Sequence, residues 1–93
     1  MEENLLLKDM LLVKIYDEHQ QDRPDMEKNV SFKELEIEKD IYNITLEGLQ
    51  NDGLIKGVRF AREGVGSKIG ISFINSMIIT KDGINYLKNI SRR

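Results

Sequence analysis

The stretch from Leu5 to Tyr16 limits the folding choices of this chain more than any other, because only Lys8, Asp9 and Lys14 interrupt its apolar residues. It contains no Gly or Pro and is rich in Leu and Met, so it is predicted to be a helix. At 100° per residue its apolar side chains fall into three stripes: Leu5, Leu12 and Tyr16; Leu7, Leu11 and Ile15; and Leu6, Met10 and Val13. A helix that is apolar nearly all round is buried nearly all round. With 93 residues the chain is expected to form one domain, residues 1–93, hiding roughly 60–65% of its unfolded surface, and one helix seldom reaches the centre of a domain that small. Two stripes suffice to anchor the helix. The third, Leu6, Met10 and Val13, spans about 60° and is surplus to folding, which marks it for contact with another chain. A symmetric antiparallel dimer is the simplest cover. A fully enclosed helix is the alternative.

The chain has no cysteine, which excludes a disulfide framework, a Cys-based zinc site and a thiol nucleophile. The opening Met1-Glu2-Glu3-Asn4 is acidic where a secretory signal is basic, and no run approaches the ~20 apolar residues of a membrane span. A cytoplasmic protein with no membrane partner is expected. The formal net charge of −2 hides an asymmetry. Residues 1–52 carry 6 Lys+Arg against 14 Asp+Glu, and residues 53–93 carry 8 against 2, so the halves stand at −8 and +6. Such a division means either a basic binding surface or two halves that attract each other.

Local signals divide the rest of the chain. Glu18 to Asn29 has no apolar periodicity, holds the only proline and reads as a surface loop, with its lone His19 solvated and no metal site. Ser31-Phe32-Lys33-Glu34 matches a capping box, with Val30 and Leu35 as its hydrophobic staple. Phe32 lies off the stripe of Tyr42, Thr45, Leu46 and Leu49, so a short helix, a turn near 36–39 and a second helix to about Asn51 are predicted, although no Ser or Thr caps the second helix near Glu38. Gly53 closes that helix in a left-handed conformation. Residues 54–61 and 69–79 read as paired strands, with Gly57 a bulge or a close backbone contact. Thr80 caps a last helix near 81–90.

The glycine-rich tip Gly64-Val65-Gly66-Ser67-Lys68 is not a phosphate loop, because its spacing is too short and a strand follows it rather than a helix. No nucleophile has a neighbouring base, so no enzyme and no cofactor are expected.

Three N-terminal helices, a two-stranded hairpin and a C-terminal helix form the order of a winged helix, an α+β fold. The runs Gly53-Leu54-Ile55-Lys56-Gly57-Val58 and Ile78-Ile79-Thr80-Lys81-Asp82-Gly83-Ile84-Asn85-Tyr86-Leu87 resemble those of the YjcQ-like winged-helix family of bacterial and phage proteins. That resemblance spans most of the chain. It implies a fold, and neither a settled activity nor catalytic residues.

In a winged helix, the helix ending at Asn51 would be the recognition helix. Its polar face is expected to display Lys39, Asp40, Asn43, Glu47, Gln50 and Asn51. Asn43 and Gln50 suit adenine edges, but Asp40 and Glu47 oppose phosphate with only Lys39 to offset them. Two functions therefore stand. One is a nucleic-acid-binding or regulatory module with Lys39, Arg59, Arg62, Lys68 and Lys81 on phosphates, Asn43 and Gln50 on bases and the wing on DNA. The other is a protein-interaction or homodimer module that uses Leu6, Met10 and Val13 together with Ile41 and Ile44.

Overall fold

The structure, a computed structural model, describes residues 6–62 and 69–90. In chain order its elements are α1 (Leu7–His19), α2 (Met26–Asn29), α3 (Phe32–Leu35), α4 (Lys39–Asn51), β1 (Ile55–Lys56), β2 (Arg59–Arg62), β3 (Ile69–Phe73), β4 (Ile78–Ile79) and α5 (Lys81–Ile90). The architecture is α+β. No helix among the described residues is long and apolar enough to cross a membrane.

Helix α1 packs against α4, α5 and β4, and buries Leu11, Leu12 and Ile15. These meet Tyr42, Leu46 and Leu49 of α4 and Ile55, Val58, Ile74, Met77 and Ile79 of the strand region in one core. The Tyr42 hydroxyl donates to the Val30 carbonyl at 2.5 Å, and burial pushes its phenol up from the ordinary tyrosine range.

Among the described residues the N-terminal half holds four helical segments where the sequence predicts three. The extra one is α2, a single turn inside the expected loop. Asp25 caps it by accepting the Lys28 amide at 3.1 Å, and Met26 is buried in the core. One apolar residue in one turn has no periodicity, so it leaves no trace on a helical wheel. His19 is half-buried where a solvated side chain is expected, and its Nδ1 is enclosed with no hydrogen-bond partner among the described residues.

Glu18 organises the same segment. Its Oε2 accepts the Asp25 amide at 2.8 Å and the Asn29 side-chain amide at 3.0 Å, and these two bonds hold its carboxyl below the ordinary glutamate range. A lowered folded pKa makes its contribution complete above the ordinary value and progressively lost as pH falls through the lowered one. The Asp25 amide should therefore shift and lose its protection against exchange as pH falls below the ordinary glutamate range, and Glu18→Gln should remove that titration. An Asp25 amide indifferent to acid would contradict the arrangement.

The break between α3 and α4 falls where the sequence places it. Glu36 takes a left-handed conformation, φ 58°, and the Ile37 amide returns to the Phe32 carbonyl at 3.0 Å. The cap missing from the sequence reading is Glu38 itself, whose Oε1 accepts the Ile41 amide at 3.1 Å. Ser31 accepts the Glu34 amide at 3.2 Å, as its motif predicts.

Gly53 ends α4 at φ 79°, with the Leu54 amide bonded to the Leu49 carbonyl at 3.0 Å. The expected strand pair is split into two short antiparallel sheets, β1 with β4 (Ile55↔Ile79) and β2 with β3 (Arg59↔Phe73). The cause lies at Gly57 and Val58. Gly57, φ 89°, sits so near Ser76 that a Cβ would fall 2.1 Å from its carbonyl oxygen. Val58 pairs with the side chain of Gln50 in place of a strand: Val58 N–H donates to Gln50 Oε1, and Gln50 Nε2 donates to the Val58 carbonyl, both at 2.9 Å.

Candidate interaction surfaces

Helix α4 turns Tyr42, Asn43, Leu46 and Leu49 inward. Ile44 and Gly48 lie on the opposite side, with Ile41, Asp40 and Asn51 at the margins. Ile41 is 50% exposed and Ile44 66%, the most exposed of the large apolar residues described. Gly48 is exposed one turn beyond Ile44 on the same side, and a Cβ there would meet nothing within 4 Å. The outward face is therefore apolar and shallow at one end, and it carries no Lys or Arg.

Two residues assigned to that face from the sequence are elsewhere. Asn43 is 2% exposed, and its Oδ1 accepts the Ser72 hydroxyl at 2.6 Å. Gln50 is engaged with Val58. Both lie on one edge of the α4 wheel, and an edge residue turns polar-out or core-facing according to what covers it. Here β3 covers Asn43 and the strand region covers Gln50. Glu47, on the same side, forms an ion pair with Arg62 of β2.

The described cations assigned to phosphate sit on three elements, α4, β2 and α5. Lys39 is exposed at the start of α4, and Lys81 is exposed in the first turn of α5. Arg59 is exposed with its guanidinium carbon 5.2 Å from the Phe73 ring centroid, a cation–π distance. Arg62 is committed to Glu47. Lys68 lies outside the described residues.

Leu6, the N-cap of α1, is 60% exposed, while on the helix Met10 is 47% exposed and Val13 is half-buried. The stripes expected to anchor the helix supply its buried residues Leu11, Leu12 and Ile15. Asp9, which the sequence shows only as a polar interruption, is buried and accepts the Tyr86 hydroxyl at 2.6 Å. If Leu6, Met10 and Val13 join two copies, changing Met10 and Val13 together to Glu should yield a folded monomer by sedimentation, with helical circular dichroism retained. A wild-type protein that stays monomeric at high concentration would exclude that dimer.

The segments that carry the sequence resemblance touch one another. Thr80 Oγ1 donates to the Gly53 carbonyl at 2.6 Å and accepts the Gly83 amide at 3.0 Å, while the Thr80 amide donates to the Leu54 carbonyl at 3.0 Å. Tyr86 then reaches α1 through Asp9, with Lys8 Nζ 5.5 Å from its ring centroid. These residues join α5 to the end of α4 and to α1. Their spacing is therefore a structural signature, and it assigns no chemistry.

No curated protein and no solved structure matches the chain at a significant level. The profile of the family described as YjcQ protein matches residues 10–92, which takes in every element from within α1 through α5. The chain belongs to the YjcQ protein family.

Proposed function

We propose that this chain is a winged-helix domain that works by protein contact through the outward face of α4. The order of its elements supports the winged helix, with α4 in the place of a recognition helix and the β2–β3 hairpin as the wing. One observation carries the functional reading: the recognition position presents Ile41, Ile44 and Gly48, while Asn43 and Gln50 are turned to internal partners. Covering an exposed Ile is worth roughly 1.5–3 kcal/mol before association costs, whereas desolvating it against phosphate gains nothing comparable. Asp40 at the margin further disfavours a polyanion.

A second reading, nucleic-acid binding through the wing, is favoured by the net +6 of residues 53–93. One salt series separates the two. Binding to unrelated DNA duplexes should be negligible at physiological salt, and a photoreactive side chain at position 44 should form a protein adduct that Ile41→Glu abolishes. Steep, salt-dependent DNA binding whose slope falls by up to about 3 units on changing Arg59, Arg62 and Lys68 together to Ala would overturn the protein reading.

A further inference from the structure

The side of α4 roughly opposite Ile44 borders a cleft of about 350 Å³, a size ordinary for small-molecule sites. It opens between α3, the first turn of α4 and β3. Its apolar walls are Phe32, Tyr42 and Ile74, the two rings standing 5.9 Å apart between centroids and tilted by 56°. Gly70, where the β2–β3 register shifts, lines it without a side chain. A glycine within a strand leaves room for something to approach the backbone closely.

Polar groups enter at two levels. The buried Asn43 and its partner Ser72 line the cleft, so a hydrogen-bonding pair lies against an otherwise apolar surface. Lys39 and Glu27 also line it, and both are exposed. No ion pair joins them among the described residues.

This combination selects a ligand class. A simple carboxylate would bring its charge to Lys39 and also beside Glu27, and a simple amine would meet the reverse conflict. A neutral apolar molecule would leave both charges unused. A molecule with one positive group, one negative group and one apolar side chain satisfies all three parts together. We propose that this cleft binds a free α-amino acid with an aromatic or large aliphatic side chain. The carboxylate goes to Lys39, the ammonium to Glu27, and the side chain lies against Phe32, Tyr42 and Ile74. The cleft is separate from the exposed face of α4, so this site stands whether or not that face meets a protein.

L-Phenylalanine, phenylacetate and phenethylamine, titrated separately into the full chain, test it by amide chemical shifts. L-Phenylalanine should give saturable shifts centred on Asn43 and Ser72, with a Kd in the millimolar range or tighter. Each analogue lacking one charge should bind up to about fivefold more weakly, the scale of one exposed ion pair. Lys39→Met should weaken L-phenylalanine and phenylacetate and strengthen phenethylamine, whose ammonium no longer meets a like charge. Glu27→Gln should weaken L-phenylalanine and phenethylamine and strengthen phenylacetate, whose carboxylate no longer meets a like charge. Both side chains are exposed, so both variants should fold. Equal binding of all three probes, or no saturable shift with any of them, would overturn the proposal.

Discussion

Gly83→Ala should destabilise this protein by roughly 3 kcal/mol or more, a large share of the 5–15 kcal/mol that holds a typical domain together. The added Cβ would fall 2.2 Å from the Leu54 carbonyl oxygen and 2.7 Å from Ile79 Cγ1. The isoleucine can rotate, but the carbonyl cannot retreat cheaply. Leu54 is held by the Thr80 amide at 3.0 Å, and the preceding Gly53 carbonyl by the Thr80 hydroxyl at 2.6 Å. Relief therefore means separating α5 from the end of α4. For a domain of this size each kcal/mol moves the midpoint by about 4–8 °C, so thermal unfolding followed by circular dichroism should show a drop of at least about 12 °C.

The matched control is Gly48→Ala. It makes the same chemical change inside a helix, but the new Cβ meets nothing within 4 Å, and the residue needs no left-handed backbone. Alanine is favoured over glycine in a helix interior by up to about 1 kcal/mol, so this variant should melt higher by a few degrees. Two Gly→Ala changes with opposite signs would show that Gly83 is required by packing and that Gly48 is not. Gly48 therefore weakens α4 with no internal return, as expected if a partner's backbone approaches there. Destabilisation of similar size at both positions would refute this account.

Gln50→Leu should cost about 2 kcal/mol and leave any DNA affinity unchanged. The side-chain amide of Gln50 supplies one acceptor and one donor to Val58, standing in for a neighbouring strand where Gly57 interrupts the ladder. Leucine fills similar space and offers neither group. Leaving a buried backbone donor or acceptor unmet costs roughly 1–3 kcal/mol, and the partial exposure of this pair places the total toward the lower end. Asn51→Leu on the exposed margin should change stability by less than about 0.5 kcal/mol. Urea denaturation of both variants, beside duplex binding, distinguishes the roles. A base-reading Gln50 would lose affinity on substitution and keep its stability.

The contrast between Ser31 and Asn43 shows how far the residues alone could be read. Ser31 caps α3 through an amide three positions along, so both partners lie within one turn and the short motif states the whole interaction. Thr80 with Gly83, and Gly53 at its left-handed turn, belong to the same class. The exposure of Leu6 and Met10 was also legible, because stripe geometry depends on residue spacing alone. Asn43 is different. Its partner is Ser72, 29 residues away, and nothing near Asn43 in the chain distinguishes an amide facing solvent from one facing a strand.

The same distinction separates what the sequence determined from what tertiary structure decided. The residues by themselves set the helix limits at Ser31, Gly53 and Thr80, the charge division of the two halves, and the apolar excess at Leu6, Met10, Ile41 and Ile44. Each follows from hydrogen bonds or periodicities closed within a few residues. Only the tertiary structure turned Asn43, Gln50 and Asp9 inward, gave α2 its anchor at Met26, and split the long hairpin at Gly57. Those outcomes depend on elements far apart in the chain, because a polar group at the edge of a helix is buried or solvated according to what packs over it. The α4 face that remains outside is therefore defined by the groups that folding withdrew from it as much as by the isoleucines it left exposed.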